Sequence, residues 1–176
     1  METSKKIAIA TVALGATARL LPHPWNFTPI MAIGLYTGVQ AGKLRTGILA
    51  TLAALLLSDV AMRPGFYPGM WWVYGASLIP VLIGRAIGRN IGHNPGTRTL
   101  AAGALVGSIS FFLITNFMVW LTYSLYPHTL AGLGACYAAA LPFFQNQLLG
   151  DAFYTVALFG GHAIMSRLWL PQPQTA

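Results

Sequence analysis

Apolar residues run through this chain in long blocks, broken by short clusters of proline, glycine and basic residues. A membrane span needs about 20 mostly apolar residues, with a range of roughly 17 to 25. Six blocks come close to this length: about 6–22, 27–42, 44–62, 69–89, 98–122 and 142–167. Pro22 and Pro24 close the first, Gly42 the second and Pro64 the third. Pro142 opens the sixth at a first-turn position, where a missing N–H costs nothing. The pattern predicts an all-α, polytopic membrane protein with six transmembrane helices. Residues 1–170 form one transmembrane domain and 171–176 a polar tail.

The segment 123–141 (YSLYPHTLAGLGACYAAAL) is apolar but short for a span. We read it as an outer loop or interfacial helix before the last span, since a seventh span would move Arg167 to the outside. Lys5 and Lys6 followed by a short apolar run resemble a secretory signal. The next run is another span rather than a soluble domain, so the segment reads as a first transmembrane helix.

Composition supports the membrane reading. Only 7% of residues are charged and 56% are hydrophobic, against roughly 25% charged in soluble domains. The net charge of +7 would raise nucleic acid as a partner of a soluble protein. Here the cations sit at the ends of apolar runs, as topology signals do, so no nucleic acid is expected. With the N-terminus inside, the inner ends hold Lys5, Lys6, Lys43, Arg45, Arg85, Arg89, Arg98 and Arg167, and the outer ends hold Arg19 and Arg63. This bias places both termini in the cytoplasm. The single cysteine, Cys136, excludes an internal disulfide and reads as a small loop residue.

Polar residues inside spans face the bundle interior or a water-filled cavity and mark function by default. On the sixth span Gln147, Asp151, Tyr154, Thr155, Leu158 and His162 fall within about one hundred degrees of arc at about 3.6 residues per turn. On the fifth, Ser108, Phe112, Asn116 and Trp120 recur at four-residue intervals. Most of these polar positions, with Asn26, Asp59 and Asn146, lie towards the outer ends. They predict a polar pocket open to the outside between the first, third, fifth and sixth spans, rimmed by Trp25, Phe66, Tyr67, Trp71, Trp72, Trp120, Tyr123 and Tyr126. Arg19 lies at the depth of Asp151, so an Arg19–Asp151 ion pair is expected, with Asp59 paired to Arg63 one turn on. The aromatics equally fit an interfacial belt, Asn116 a helix–helix hydrogen bond, and Asp151 a structural ion pair.

Small residues recur every fourth position at Gly84, Gly88 and Gly92, at Ala50, Ala54 and Ser58, and at Gly103 and Gly107, a spacing that lets helix backbones approach. His23 and His128 are the weak candidates for a metal site, and no metal or cofactor is expected. No H-E-x-x-H, G-x-S-x-G or paired carboxylates point to catalysis, so the chain reads as a non-enzyme.

The stretches RLLPHPWNFTPIMAIGLYTG, LLLSDV and ITNFMVWLTYSLYPHTLAGLGACYAAALPFFQNQLLGDAFYTVALFG together resemble a family of uncharacterised bacterial six-span membrane proteins. That family looks like the substrate-binding S components of energy-coupling-factor vitamin transporters. The resemblance implies capture of a vitamin or micronutrient from the outer side by Asn26, Asp59, Asn116, Trp120, Asn146 and Asp151. It also implies docking on a transmembrane coupling subunit driven by ATPases, through a small-residue row on the first helix. That helix, AIATVALGATARL, has small residues but no strict Ala-x-x-x-Ala. The expected partners are thus a small-molecule substrate, membrane lipid and such a coupling subunit. The alternative is a structural or assembly subunit, whose glycine rows pack against another membrane protein.

Overall fold

A computed structural model describes residues 2–62 and 68–169. The described residues form seven α-helices and no strand: α1 (Glu2–Leu20), α2 (Ile30–Gln40), α3 (Leu44–Met62), α4 (Met70–Ala76), α5 (Ile79–Asn90), α6 (Thr97–Thr122) and α7 (Leu130–Trp169). Four stretches are long and apolar enough to cross a membrane: 44–62, 70–90, 97–122 and 130–167. Together they mark a membrane protein. Their outward faces carry Leu56, Leu57 and Val60 on α3, Leu105 and Val106 on α6, and Leu149, Phe153 and Val156 on α7. Such a surface suits lipid and not water.

The core is α2. Ten consecutive residues, Ile30 to Val39, are buried, so this helix is apolar on every face because every face is covered. At 11 residues it is about 16 Å long at 1.5 Å per residue, half a bilayer. The block at 27–42 is therefore a short central helix, preceded by an irregular segment that begins at Leu21. Asn26 in that segment adopts φ 64°, a left-handed conformation that asparagine tolerates better than most residues. The turn packs directly on α7, where a Cβ on Gly150 would stand 3.0 Å from the Phe27 Cα.

Helices α2 and α5 touch backbone to backbone. A Cβ on Gly84 would run into the Leu35 carbonyl oxygen, one on Gly88 would lie 2.8 Å from the Val39 carbonyl oxygen, and one on Gly38 would strike the Val81 carbonyl oxygen. The Gly84–Gly88 row is thus an internal seam, and Gly34 and Gly38 are its mates on α2. Gly92 does not join it; it ends α5 at φ 104° with nothing near its absent Cβ. On α3, Ala50, Ala54 and Ser58 are all buried, and Ala54 faces Gly15 of α1.

The expected loop or interfacial helix at 123–141 is neither, from Leu130 onward. Thr129 accepts a hydrogen bond from the Gly132 N–H at 3.1 Å, an N-terminal cap. The helix then runs unbroken through Pro142 to Trp169. It packs antiparallel along α6: the Tyr137 hydroxyl donates to the Leu113 carbonyl at 2.8 Å, Phe112 stacks on Phe144 at 4.4 Å, and Cys136 is buried with its Sγ 3.4 Å from the Asn116 carbonyl oxygen. Cys136 is therefore a helix-packing residue and not a loop residue. Burial against α6 is what holds this short apolar stretch in one helix with the last span.

Candidate functional site

The α6–α7 hairpin is closed along its Leu113–Phe144 half and open along the other. Below Ser108 both walls carry small side chains, among them Ala101 and Ala104 on α6 and Ala152, Gly160 and Ala163 on α7. With nothing bulky to fill the gap, the helices leave a groove-like cavity of about 1010 Å³, open along the side where Leu105 and Val156 are exposed. Apolar walls come from Leu100, Leu105, Leu148, Val156 and Phe159, and the mouth from Gln40, His93, Asn94, Thr97, Ser166 and Arg167. The mouth is held in place by hydrogen bonds. His93 Nδ1 lies 2.6 Å from the Val39 carbonyl oxygen; a carbonyl only accepts, so Nδ1 carries the proton. The Gln40 amide donates to the His93 carbonyl at 2.7 Å. Tyr36 and His162 Nδ1 meet at 2.8 Å, tying α2 to α7.

The closed end is polar. Ser108 donates to Asp151 at 2.5 Å, and the Gln147 amide donates to the Ser108 carbonyl at 3.1 Å. All three residues are buried. Ser108 and Asp151 face the large cavity. Gln147 faces a second, smaller cavity of about 210 Å³, lined by Trp25, Asn26, Phe111, Phe112, Thr115, Asn116, Ala140 and Phe143. A hydrogen-bonded layer thus separates two cavities on one helix seam.

The expected residues divide among these features. Asp151 floors the large cavity, and Asn26 and Asn116 line the small one. The Asn116 amide also donates to the Phe112 carbonyl at 2.8 Å. Asp59, Trp120 and Asn146 line neither cavity. The expected Arg19–Asp151 pair does not form. Arg19 Nη2 meets Asp59 Oδ1 at 2.9 Å, and Nη1 donates to Ser58 at 2.5 Å. Adjacent packing of α1 and α3 brings those groups together, whereas Asp151 points at α6. Tyr74 donates to the other Asp59 oxygen at 3.0 Å. The Trp120 indole donates to the Pro127 carbonyl at 2.9 Å. It therefore fastens the α6–α7 turn and contributes no lining.

The large cavity also opens at the other end of the bundle from the expected outer pocket, beside Arg167 and His93. Trp71 points outward at 68% exposure, as a belt residue does. His23 bonds to the Arg19 and Pro24 carbonyls, whereas His128 lies edge-on to Trp120. Among the described residues no group of three or more His, Cys, Asp or Glu could hold a metal. Arg63, Phe66, Tyr67 and the tail 171–176 lie outside the described residues, and with them the expected Asp59–Arg63 contact.

A family of unknown function, DUF6580, matches residues 2–173. The chain belongs to this family. No curated protein and no solved structure matches it. The match takes in all of α1–α7.

Several residues of the site carried no signal in the sequence. His93 and Asn94 lie on the connection between α5 and α6, and Thr97 is the first residue of α6. Ser166 sits near the end of α7. Only the approach of α2, α6 and α7 makes them one mouth.

Proposed function

We propose that this is an integral membrane solute-binding protein of the bacterial inner membrane, similar in role to an S component, that holds a small organic molecule between α6 and α7 during uptake. The observation that supports it is the cavity of about 1010 Å³ closed by buried Ser108 and Asp151. Ligand cavities run to roughly 300–1,000 Å³, with mostly apolar walls and a few converging polar groups. A pair of helices that existed only to span lipid would gain nothing by burying a carboxylate at the end of a groove.

The positive-inside orientation puts the mouth beside Arg167 in the cytoplasm and the small cavity at the outer side. The arrangement then corresponds to an inward-open state, with the Ser108–Gln147–Asp151 layer shut against the outside. Solute enters from outside past Asn26 and Asn116, crosses the layer and leaves by the wide mouth. The chain has no nucleotide-binding motif, so energy comes from a partner such as an ATPase-driven coupling subunit. The assembly-subunit reading loses its main support, because Gly84 and Gly88 are used against α2.

Native mass spectrometry of protein purified gently from its own membrane tests this reading. Wild-type protein should carry a defined small molecule that Ala101→Trp and Ala152→Trp, both filling the cavity, remove. A persistent apo mass in wild type, or an adduct unchanged by both fillings, would reject it.

A further inference from the structure

We propose that the closed end of the α6–α7 cavity is a subsite for an organic ammonium group, with Asp151 as its counter-ion; the inference rests on the cavity being the solute site.

The chain has three acidic residues. Glu2 lies at the start of α1, and Asp59 has Arg19 at 2.9 Å. Asp151 is 3% exposed, and its hydrogen-bond partners are the neutral side chains of Ser108 and Gln147. No Lys, Arg or His among the described residues lies at ion-pair distance from it. A carboxylate at membrane depth costs about 2.5–3.5 kcal/mol on insertion scales. An arriving cation would remove that cost, whereas an arriving anion would add to it.

Thr155 provides the second, independent observation. In apolar helices a threonine usually turns its hydroxyl back on the carbonyl one turn earlier. Thr37 and Thr115 do so, at 2.7 and 2.8 Å. Among the described residues the buried Oγ1 atoms of Thr51 and Thr155 have no hydrogen-bond partner; of the two, Thr155, 6% exposed, lines the cavity. At i and i+4 on one helix, Asp151 and Thr155 share a face. A primary ammonium carries three donors and no acceptor, which matches a carboxylate and a hydroxyl oxygen with capacity to accept.

Competing ligands fit less well. Calcium needs six to eight oxygen ligands, and one carboxylate with two hydroxyls supplies too few. A lipid acyl chain offers no donor to Asp151 or Thr155. At the far end Arg167 stands about 24 Å along the helix, at about 1.5 Å per residue. The favoured solute therefore has its ammonium at Asp151, an apolar body along Leu100, Leu148 and Val156, and a neutral or anionic group towards the mouth.

Photolabelling tests the proposal. Three probes of equal length, octylamine, octanol and octanoate, each with a diazirine near the tail, are irradiated with the full chain in lipid nanodiscs. Labelled peptides are then mapped by mass spectrometry. The amine should label the α6 and α7 walls on the order of tenfold more than the other two, the factor given by about 1.4 kcal/mol. Unlabelled octylamine should compete. Asp151→Asn should abolish the preference for amine, and Thr155→Val, which keeps shape, should weaken it several-fold. Equal wall labelling by octanol or octanoate would overturn the ammonium subsite while leaving a solute cavity. No wall labelling by any probe would overturn both readings. An amine preference that survives both Asp151→Asn and Thr155→Val would overturn the role of these residues.

Discussion

Arg19 and Asp59 meet at 2.9 Å, 40 residues apart in sequence, and fasten the end of α1 to the end of α3. The pair is well supported, with Ser58 on the guanidinium and Tyr74 on the carboxylate. Removing one partner of a buried pair costs about 3–5 kcal/mol because the other charge stays behind, while replacing both by apolar groups is often neutral. Arg19→Met or Asp59→Leu alone should lower the Tm in detergent strongly, and the double variant should recover most of the loss. Additive losses in the double-mutant cycle would show that the two residues act separately.

The Gly84 seam makes a second prediction. Gly84→Ala places a methyl against the Leu35 carbonyl, a backbone atom that cannot swing away. Helices α2 and α5 must separate, at a cost of about 1–3 kcal/mol or more. Gly134→Ala on α7 meets nothing within 4 Å and should be neutral or stabilising by up to about 1 kcal/mol, since alanine is the better helix former. Paired thermal unfolding measurements check the contrast.

The polar layer at Ser108 separates structural from functional roles. Ser108→Ala strips the carboxylate of its hydroxyl donor and should cost about 1–3 kcal/mol. Asp151→Asn keeps an oxygen that accepts from Ser108 and buries no charge, so its stability should equal or exceed that of wild type. Asp151→Asn should nonetheless lose the preference for amine. A large drop in Tm for Asp151→Asn would instead mark Asp151 as a structural group.

Orientation is open to a direct chemical test. Cys136 is the single cysteine and is buried, so background labelling in intact cells should be low. Gly96→Cys beside the wide mouth should react with an impermeant maleimide only after the membrane is opened. His128→Cys at the α6–α7 turn should react in whole cells. The reverse pattern would place the mouth outside and turn the proposed uptake into export or external capture.

Much of this was legible in the chain. The apolar blocks located α3, α6 and the later part of α7, and the paucity of charge pointed to lipid. The four-residue spacing of Gln147, Asp151 and Thr155 foretold that they share a face, because helical periodicity is a local property. The glycine rows foretold close packing, although only contact identified α2 as the mate of α5.

Partner choice was not legible. Arg19 had two aspartates within plausible reach by depth, and depth along a helix says nothing about which neighbour its face meets. The side of the large cavity was missed for the same reason. Polar residues clustered towards the outer ends, yet the void formed lower down, where the small residues Ala104, Ala152 and Gly160 lie opposite one another across two helices. The sequence by itself determined an all-helical membrane chain with Asp151 on an inward polar stripe, since length, hydropathy and periodicity act residue by residue. Only the tertiary structure decided that Asp59 would meet Arg19, that α2 would be central and short, and that Asp151 would floor a cavity. Each of those outcomes depends on which helix faces pack together, and that is settled by shape complementarity between segments far apart in the chain.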